Sequence, residues 1–196
     1  MHRFLGRFVI GAGALLIAAT AHAQGNSGTS GRPFKLGGAL GATVPLGDYS
    51  DAADLGFNLG GLIEYKPQSV PVNLRGEITY HRNGLKDGAF PAFPDVDGNA
   101  SIFGFVANAL VPFGDPASTA RPYAIGGVGV YRVKLSGDLP GGNTLSRSET
   151  DFGLNIGGGF IFNLSGVETF VEARYHSVFT EDSNSNFIPL SFGFKF

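Results

Sequence analysis

The 196-residue chain has no cysteine and no tryptophan, and only 15% of its residues are charged. Without cysteine it cannot form disulfides, bind a metal through thiolates or be acylated at an N-terminal cysteine. Basic residues are also scarce, because 14 Lys and Arg are outnumbered by 16 Asp and Glu. Since nucleic acids are bound through clusters of Lys and Arg, this charge balance argues against a nucleic-acid partner.

The N-terminal segment has the three parts of a secretory signal peptide. Two arginines precede an uncharged run over 8–21, which leads into an A-x-A cleavage site ending at Ala23. The run is shorter than the roughly 20 residues of a membrane-spanning helix, and no later segment resembles one. We therefore predict a signal peptide over 1–23, a flexible leader over 24–32 and one folded domain over 33–196.

The rest of the sequence is rich in glycine, with 31 residues, and 43% of the whole chain is hydrophobic. Segments of about ten residues alternate apolar with small or polar side chains, and clusters of Pro, Gly, Asn and Asp separate them. Because side chains on a strand point to opposite faces with period two, this pattern predicts strands joined by turns. We place eight strands over 33–44, 55–66, 71–82, 100–111, 122–134, 151–163, 168–179 and 187–196.

The last strand has one wholly apolar face. That face carries Ile188, Leu190, Phe192, Phe194 and Phe196. An apolar strand that ends in an aromatic residue resembles the sorting signal at the end of bacterial outer-membrane barrels. The resemblance implies that Phe192, Phe194 and Phe196 form an insertion signal that the barrel-assembly machinery reads.

These strands predict an all-β fold, an eight-stranded antiparallel up-and-down transmembrane β-barrel. In hydrocarbon every backbone donor and acceptor must be paired within the protein, and a closed sheet leaves no open edge. The regular apolar faces should then meet lipid, which is the inverse of a soluble barrel. The tyrosines near the strand ends support this arrangement, because such rings favour the boundary between water and lipid. They are Tyr65 and Tyr123 at one rim, and Tyr80, Tyr131 and Tyr175 at the other.

The fourth strand has apolar residues on both faces. In the fourth strand Phe103 and Phe105 alternate with Ile102 and Val106, so alternation alone does not assign its faces. In the fifth strand we assign the tyrosines to lipid, and this choice turns Arg132 toward the lumen.

The assigned faces direct a set of titratable side chains of mixed sign into the lumen. They are Lys35, Glu64, Arg75, Glu77, Arg132, Glu172, Arg174, His176 and Lys195. Because an isolated buried charge is very costly, we expect these groups to pair with one another. A barrel of eight strands is just filled by side chains, so we predict a structural polar network and no wide pore.

Three stretches of the sequence resemble the bacterial outer membrane β-barrel domain family of small eight-stranded proteins. They are PYAIGGVGVY at 122–131, VEARY at 171–175 and IPLSFGFKF at 188–196. The resemblance covers essentially the whole predicted mature chain. It implies the barrel fold, export through the periplasm to the outer membrane, and membrane lipid as a partner. Members of the family differ in their roles, so the resemblance implies no particular activity.

Motifs for catalysis or metal binding are weak. His176 and Ser177 near Glu172 invite comparison with lipid A deacylases, but adjacent residues on a strand face opposite ways, so that pair cannot readily share a hydrogen bond. The segment 95–99, DVDGN, is similar to part of a calcium loop, yet its glycine is out of register and no closing glutamate follows. We predict no enzymatic activity, no cofactor and no metal, and we place His81 at the rim.

The sequence therefore predicts a structural or surface-interaction protein that displays loops over 45–54, 83–99, 135–150 and 180–186. It does not identify an extracellular ligand for these loops. Three alternatives stay open at this stage: a narrow porin-like channel, a lipid-modifying outer-membrane enzyme and a soluble periplasmic binding barrel.

Overall fold

The computed structural model describes residues 33–86, 98–115, 118–138, 144–164, 167–180 and 184–196. The predicted signal peptide and leader, and most of the DVDGN segment, lie outside the described residues. The described elements are β1 (Phe34–Leu46), α1 (Asp48–Ala52), β2 (Ala53–Tyr65), β3 (Asn73–Leu85), β4 (Gly98–Pro112), β5 (Ala120–Asp138), β6 (Thr144–Leu164), β7 (Val167–Phe179) and β8 (Asn184–Lys195). In these ranges no helix has the length and apolar character needed to cross a membrane.

The eight strands form a closed barrel in which each strand pairs with its sequence neighbours and β1 pairs with β8. All of the pairings are antiparallel. The closing pair runs in register from Gly37 opposite Lys195 to Leu46 opposite Asn186. The predicted eight-stranded up-and-down barrel is confirmed, and its closure removes the unpaired edges that hydrocarbon would not tolerate.

Alternation along the strands divides the barrel into an apolar outside and a polar inside. Leu74, Ile156 and Phe192 are 52%, 69% and 53% exposed, respectively. Arg75 and Glu172 are 1% and 3% exposed. The outer surface is therefore built from large apolar side chains, and the charges lie within the enclosed volume.

β4 and β5 both carry apolar residues on each face, and the structure assigns their faces differently from each other in relation to the sequence expectations. In β4, Phe103 and Phe105 face outward and Ile102 is buried inside. In β5 the predicted faces are wrong, because Tyr123 and Tyr131 are buried inside the barrel and do not contribute to an outer girdle. Their hydroxyl groups find hydrogen-bond partners in the interior, which a lipid-facing position would not supply. The outer tyrosines are Tyr65, Tyr80 and Tyr175, which are exposed or half-buried.

The strands β5 and β6 are longer than predicted and replace much of the expected loop over 135–150. They pair from Ala120 opposite Phe162 to Asp138 opposite Thr144. β6 pairs with β7 only from Gly153 onward, so residues 144–152 pair with β5 alone among the described residues. We call residues 135–138 and 144–147, which form the outermost part of this pairing, the β5–β6 extension. The other predicted loops are also shorter, since β4 already begins at Gly98 and β8 at Asn184.

Two apolar clusters fill opposite ends of the interior. The first consists of Tyr49, Ala53, Ala100, Ile102, Val106, Tyr131, Val178 and Phe187, and lies toward the connections that follow β1, β3, β5 and β7. We call this end the loop end. The second consists of Leu62, Leu110, Tyr123, Ile125, Ile161 and Phe170, and lies toward the terminal end, where β1 begins and β8 ends. The charged side chains are enclosed together with these clusters.

Candidate functional site: the charged interior of the barrel

Arg75 is the centre of the interior polar network. It projects inward from β3, and its guanidinium contacts three carboxylates that come from three strands. Nη1 donates to Glu172 Oε2 at 2.8 Å, Nε donates to Glu64 Oε2 at 3.2 Å, and Nη1 lies 3.6 Å from Glu77 Oε1. The guanidinium also lies over the ring of Phe170, 5.0 Å from its centroid. A planar fork of five donors suits this position, because one buried group must satisfy several acceptors.

Arg174 completes the charge balance on the opposite wall. It donates from Nη1 and Nη2 to Glu77 at 2.5 and 3.2 Å, and its Nε lies 2.7 Å from Glu172 Oε1. Glu77 also accepts from Asn108 Nδ2 at 2.6 Å, and Asn155 Nδ2 donates to Asn108 Oδ1 at 2.9 Å. The network therefore extends from β3 through β4 and β6 to β7, and ties together strands that are not neighbours.

A third cation, Lys195, connects the closing strand to the same network. Its Nζ donates to both oxygens of Glu64, at 3.0 and 2.8 Å. It also lies 3.8 Å from Glu168, which bonds to Lys35 and lies 3.8 Å from Arg121. The terminal end of the interior is thus held by ion pairs that join β8 to β1, β2, β5 and β7.

All but one of the side chains that the sequence predicts for the lumen face the interior. Lys35, Glu64, Arg75, Glu77, Glu172, Arg174, His176 and Lys195 all face the interior. Arg132 does not: it is exposed on the outer surface, where its Nη2 donates to Ser148 Oγ at 3.2 Å. This correction follows from the reversed faces of β5. Alternation could have predicted that Glu168 faces the interior, because it lies on the same face of β7 as Glu172. It could not have predicted the interior position of Tyr123, whose hydroxyl donates to Glu172 at 2.6 Å.

A second group of polar side chains lies among the aromatic rings near the loop end. His176 stacks on Phe187 with ring centroids 5.0 Å apart, and His81 packs against the same ring at 4.9 Å. His176 Nδ1 lies 2.9 Å from the Tyr131 hydroxyl, and His81 Nδ1 lies 3.0 Å from Thr43 Oγ1. His81 is 2% exposed, so the predicted rim position is wrong. His81 lies on the inner face of β3 with Arg75 and Glu77, and the sequence does not reveal the aromatic group that covers it.

Helix α1 closes the interior at the loop end. Its Tyr49 ring is buried against Phe187, with centroids 6.4 Å apart. The Tyr49 hydroxyl donates to Asn83 Oδ1 at 3.3 Å, and burial raises the pKa of this phenol. Lys86 reaches back from the end of β3 and donates to the Ser50 carbonyl at 2.7 Å. The first connection therefore folds over the barrel mouth as an ordered cap.

One small polar cavity lies between the charged network and the histidines. Its volume is about 20 Å³, and its polar lining includes Asn58, Thr79, His81, Arg174 and Ser191. A cavity of this volume holds about one water molecule. Thr79 Oγ1 and His81 Nε2 are buried and have no hydrogen-bond partner among the described residues, so they are the groups that such a molecule would satisfy.

The residues compared above with a deacylase do not form a nucleophile and base pair. His176 is fully buried inside, and its Nδ1 is occupied by the Tyr131 hydroxyl, while Ser177 lies on the other face of β7. Within the described ranges, no group of three or more His, Asp or Glu side chains could hold a metal ion.

An apolar outer wall around a charged, enclosed interior defines an integral membrane barrel, and a soluble periplasmic barrel would have its apolar face inside. The chain belongs to the outer membrane protein beta-barrel domain family, whose model matches residues 11–196. It is therefore a small β-barrel protein of the bacterial outer membrane, embedded in lipid.

Solved structures show the same fold at low sequence identity. The crystal structure of Neisserial surface protein A (NspA) matches with 22% identity and a TM-score of 0.59, over 84% of this chain and 96% of that chain. A major outer membrane protein from Thermus thermophilus matches with 13% identity and a TM-score of 0.61, over 84% and 99% of the two chains. No curated protein sequence matches the chain. The fold is thus shared with proteins whose sequences have diverged widely.

Proposed function

We propose that this protein is a closed outer-membrane anchor that presents the β5–β6 extension and its other loop-end connections to the outside of the cell. It acts by display and interaction, and has neither channel nor enzymatic activity. In bacterial barrels the longer connections lie outside and the short turns lie in the periplasm. The loop end of this barrel carries the cap α1 and the β5–β6 extension, so we assign it to the extracellular side.

The observation that supports a closed anchor best is the filled interior. Arg75, Arg174 and Lys195 are each buried and paired with carboxylates from other strands. Breaking such pairs to open a path would leave charges without partners, at several kcal/mol per ion. The cavity next to them holds about one water molecule, which is far from a continuous pore. A narrow channel is therefore the less favoured function.

Surface display is tested by epitope insertion. A short epitope placed between Pro140 and Gly141, in the connection after β5, should be stained by antibody on intact cells. The matched control is the same epitope between Ser165 and Gly166, in the connection after β6, which should be stained only after the outer membrane is permeabilised. Staining of the control alone on intact cells would reverse the assigned orientation and refute the proposal.

Closure is tested separately by recording from the purified barrel in planar lipid bilayers. We expect the wild-type protein to give no discrete conductance steps, because its interior is blocked by paired charges and by the cap. Reproducible steps that disappear when the protein is heat-unfolded would identify it as a channel and contradict the closed anchor.

A further inference from the structure

Three cations on the outer wall, Arg82, Arg132 and Lys134, form a patch together with neighbouring hydroxyl groups. Arg82 is exposed on β3, and Arg132 and Lys134 are exposed on β5. Their strands flank β4, so the two outer strands lie about 10 Å apart at the usual strand spacing. Arg132 therefore lies in this outer patch and not in the lumen, where the sequence analysis predicted it.

The strand register arranges the patch in two rows across β3–β6. The upper row runs Arg82, Ser101, Lys134 and Ser148, and the row below it runs Tyr80, Phe103, Arg132 and Thr150. The hydroxyls of Tyr80 and Ser101 lie 3.3 Å apart, and Arg132 donates to Ser148 Oγ. In the upper row, cations therefore alternate with serine hydroxyl groups.

The next row toward the terminal end contains no polar side chain. It consists of Ile78, Phe105, Val130 and Phe152, all exposed on the outer wall. One step of two residues along each strand, about 7 Å, leads from this fully apolar row to the row of Arg132, and a second step leads to Arg82 and Lys134. This transition marks the level at which hydrocarbon gives way to lipid headgroups on this side of the barrel.

Among the residues that the structure describes, no carboxylate pairs with these cations and keeps them from a ligand. No ion pair joins Arg82, Arg132 or Lys134 to a carboxylate within the part of the chain that the structure describes. The nearby Arg147 differs, because Glu149 pairs with it. Unpaired cations at headgroup level attract anionic lipids.

We propose that this patch binds the phosphate groups of a phosphorylated glycolipid, lipid A, in the outer leaflet of the membrane. Arg82, Arg132 and Lys134 would supply charge-assisted hydrogen bonds to phosphate oxygens, and the serine and threonine hydroxyls would bond to phosphate or sugar oxygens. The acyl chains would lie on the apolar row below. The inference rests on the proposed orientation, since only an extracellular loop end brings the patch to the outer leaflet.

The binding itself is tested in vitro, independently of orientation in the cell. The barrel is reconstituted in phosphatidylcholine nanodiscs that contain a small fraction of lipid A, and the lipid retained after detergent extraction and purification is counted by native mass spectrometry. Each cation removed near a charged lipid surface weakens binding roughly five-fold, so we expect the triple variant R82Q/R132Q/K134Q to lose about a hundred-fold. The single variants should each lose about five-fold, and they provide the test if the triple variant does not fold.

The matched control is Lys66→Gln, which removes an exposed cation at the terminal end and should retain lipid A as the wild type does. Dephosphorylated lipid A and phosphatidylglycerol are tested in parallel, and we expect little retention of either. Wild-type retention by the variants would overturn the proposal. Equal retention of phosphatidylglycerol would also overturn it, because the patch would then be a general anionic surface. These results leave the epitope experiment unaffected, so failure of the lipid site and failure of the display proposal are distinguishable.

Discussion

Replacing Arg75 by methionine should destabilise the barrel strongly, although it removes no apolar surface. Methionine retains an unbranched stem of similar reach, so the main loss is the guanidinium. The substitution leaves Glu64, Glu77 and Glu172 facing only Arg174 and Lys195. Removing one partner of a buried ion-pair network costs about 3–5 kcal/mol, because a buried charge is left uncompensated. We expect the free energy of unfolding to fall by that amount.

The loss of unfolding free energy should depend on the charge balance of the interior and not only on the shape of the substituted side chain. In the double variant R75M/E172Q one carboxylate is neutralised as well, and most of the lost stability should return. Arg75→Lys keeps the charge but loses the fork that reaches Glu172 and Glu64 together, so an intermediate loss is expected. The control is Arg82→Met, on the outer face of the same strand, which should change the stability by less than about 0.5 kcal/mol.

The assay is urea unfolding of the refolded proteins in phosphatidylcholine vesicles. Because the chain contains no tryptophan, the transition is followed by far-UV circular dichroism and by heat-modifiable mobility on cold gels. A loss of less than about 0.5 kcal/mol for Arg75→Met would show that the network contributes little. A double variant as unstable as the single one would show that charge imbalance is not the cause.

Two further substitutions test the insertion signal and the closing seam. Phe196→Ser should lower the folded yield in outer-membrane fractions. The control is Phe113→Ser, which replaces an exposed aromatic residue outside the strands and should leave the yield unchanged. Equal yields of the two variants would contradict a role of the last residue in insertion. Gly41→Ala should lower the urea midpoint by the equivalent of about 1–3 kcal/mol, because its Cβ would lie 1.9 Å from the Leu190 carbonyl oxygen across the closing pair. Gly61→Ala, whose Cβ meets no atom within 4 Å, is the control, and matching midpoints would mean that the seam adjusts without strain.

The predicted faces were correct wherever one face of a strand is consistently apolar. In β3, Leu74 and Ile78 alternate with Arg75 and Glu77, and a period of two has a single interpretation there. In β5 both faces are apolar, and a tyrosine suits either side because its ring favours lipid and its hydroxyl favours a polar partner. Only the positions of Glu172 and His176 across the barrel decide that Tyr123 and Tyr131 turn inward.

The sequence by itself determined the number of strands, the closed barrel and the apolar surface, because these follow from local alternation and from the need to pair every backbone group in lipid. It did not determine which charges meet. Arg75 and Glu172 are 97 residues apart, as are Arg174 and Glu77, and their contacts depend on the register with which β8 closes on β1. That register, the extent of β5 and β6, and the basic patch on the outer wall depend on distances between strands, which only the closed tertiary structure fixes.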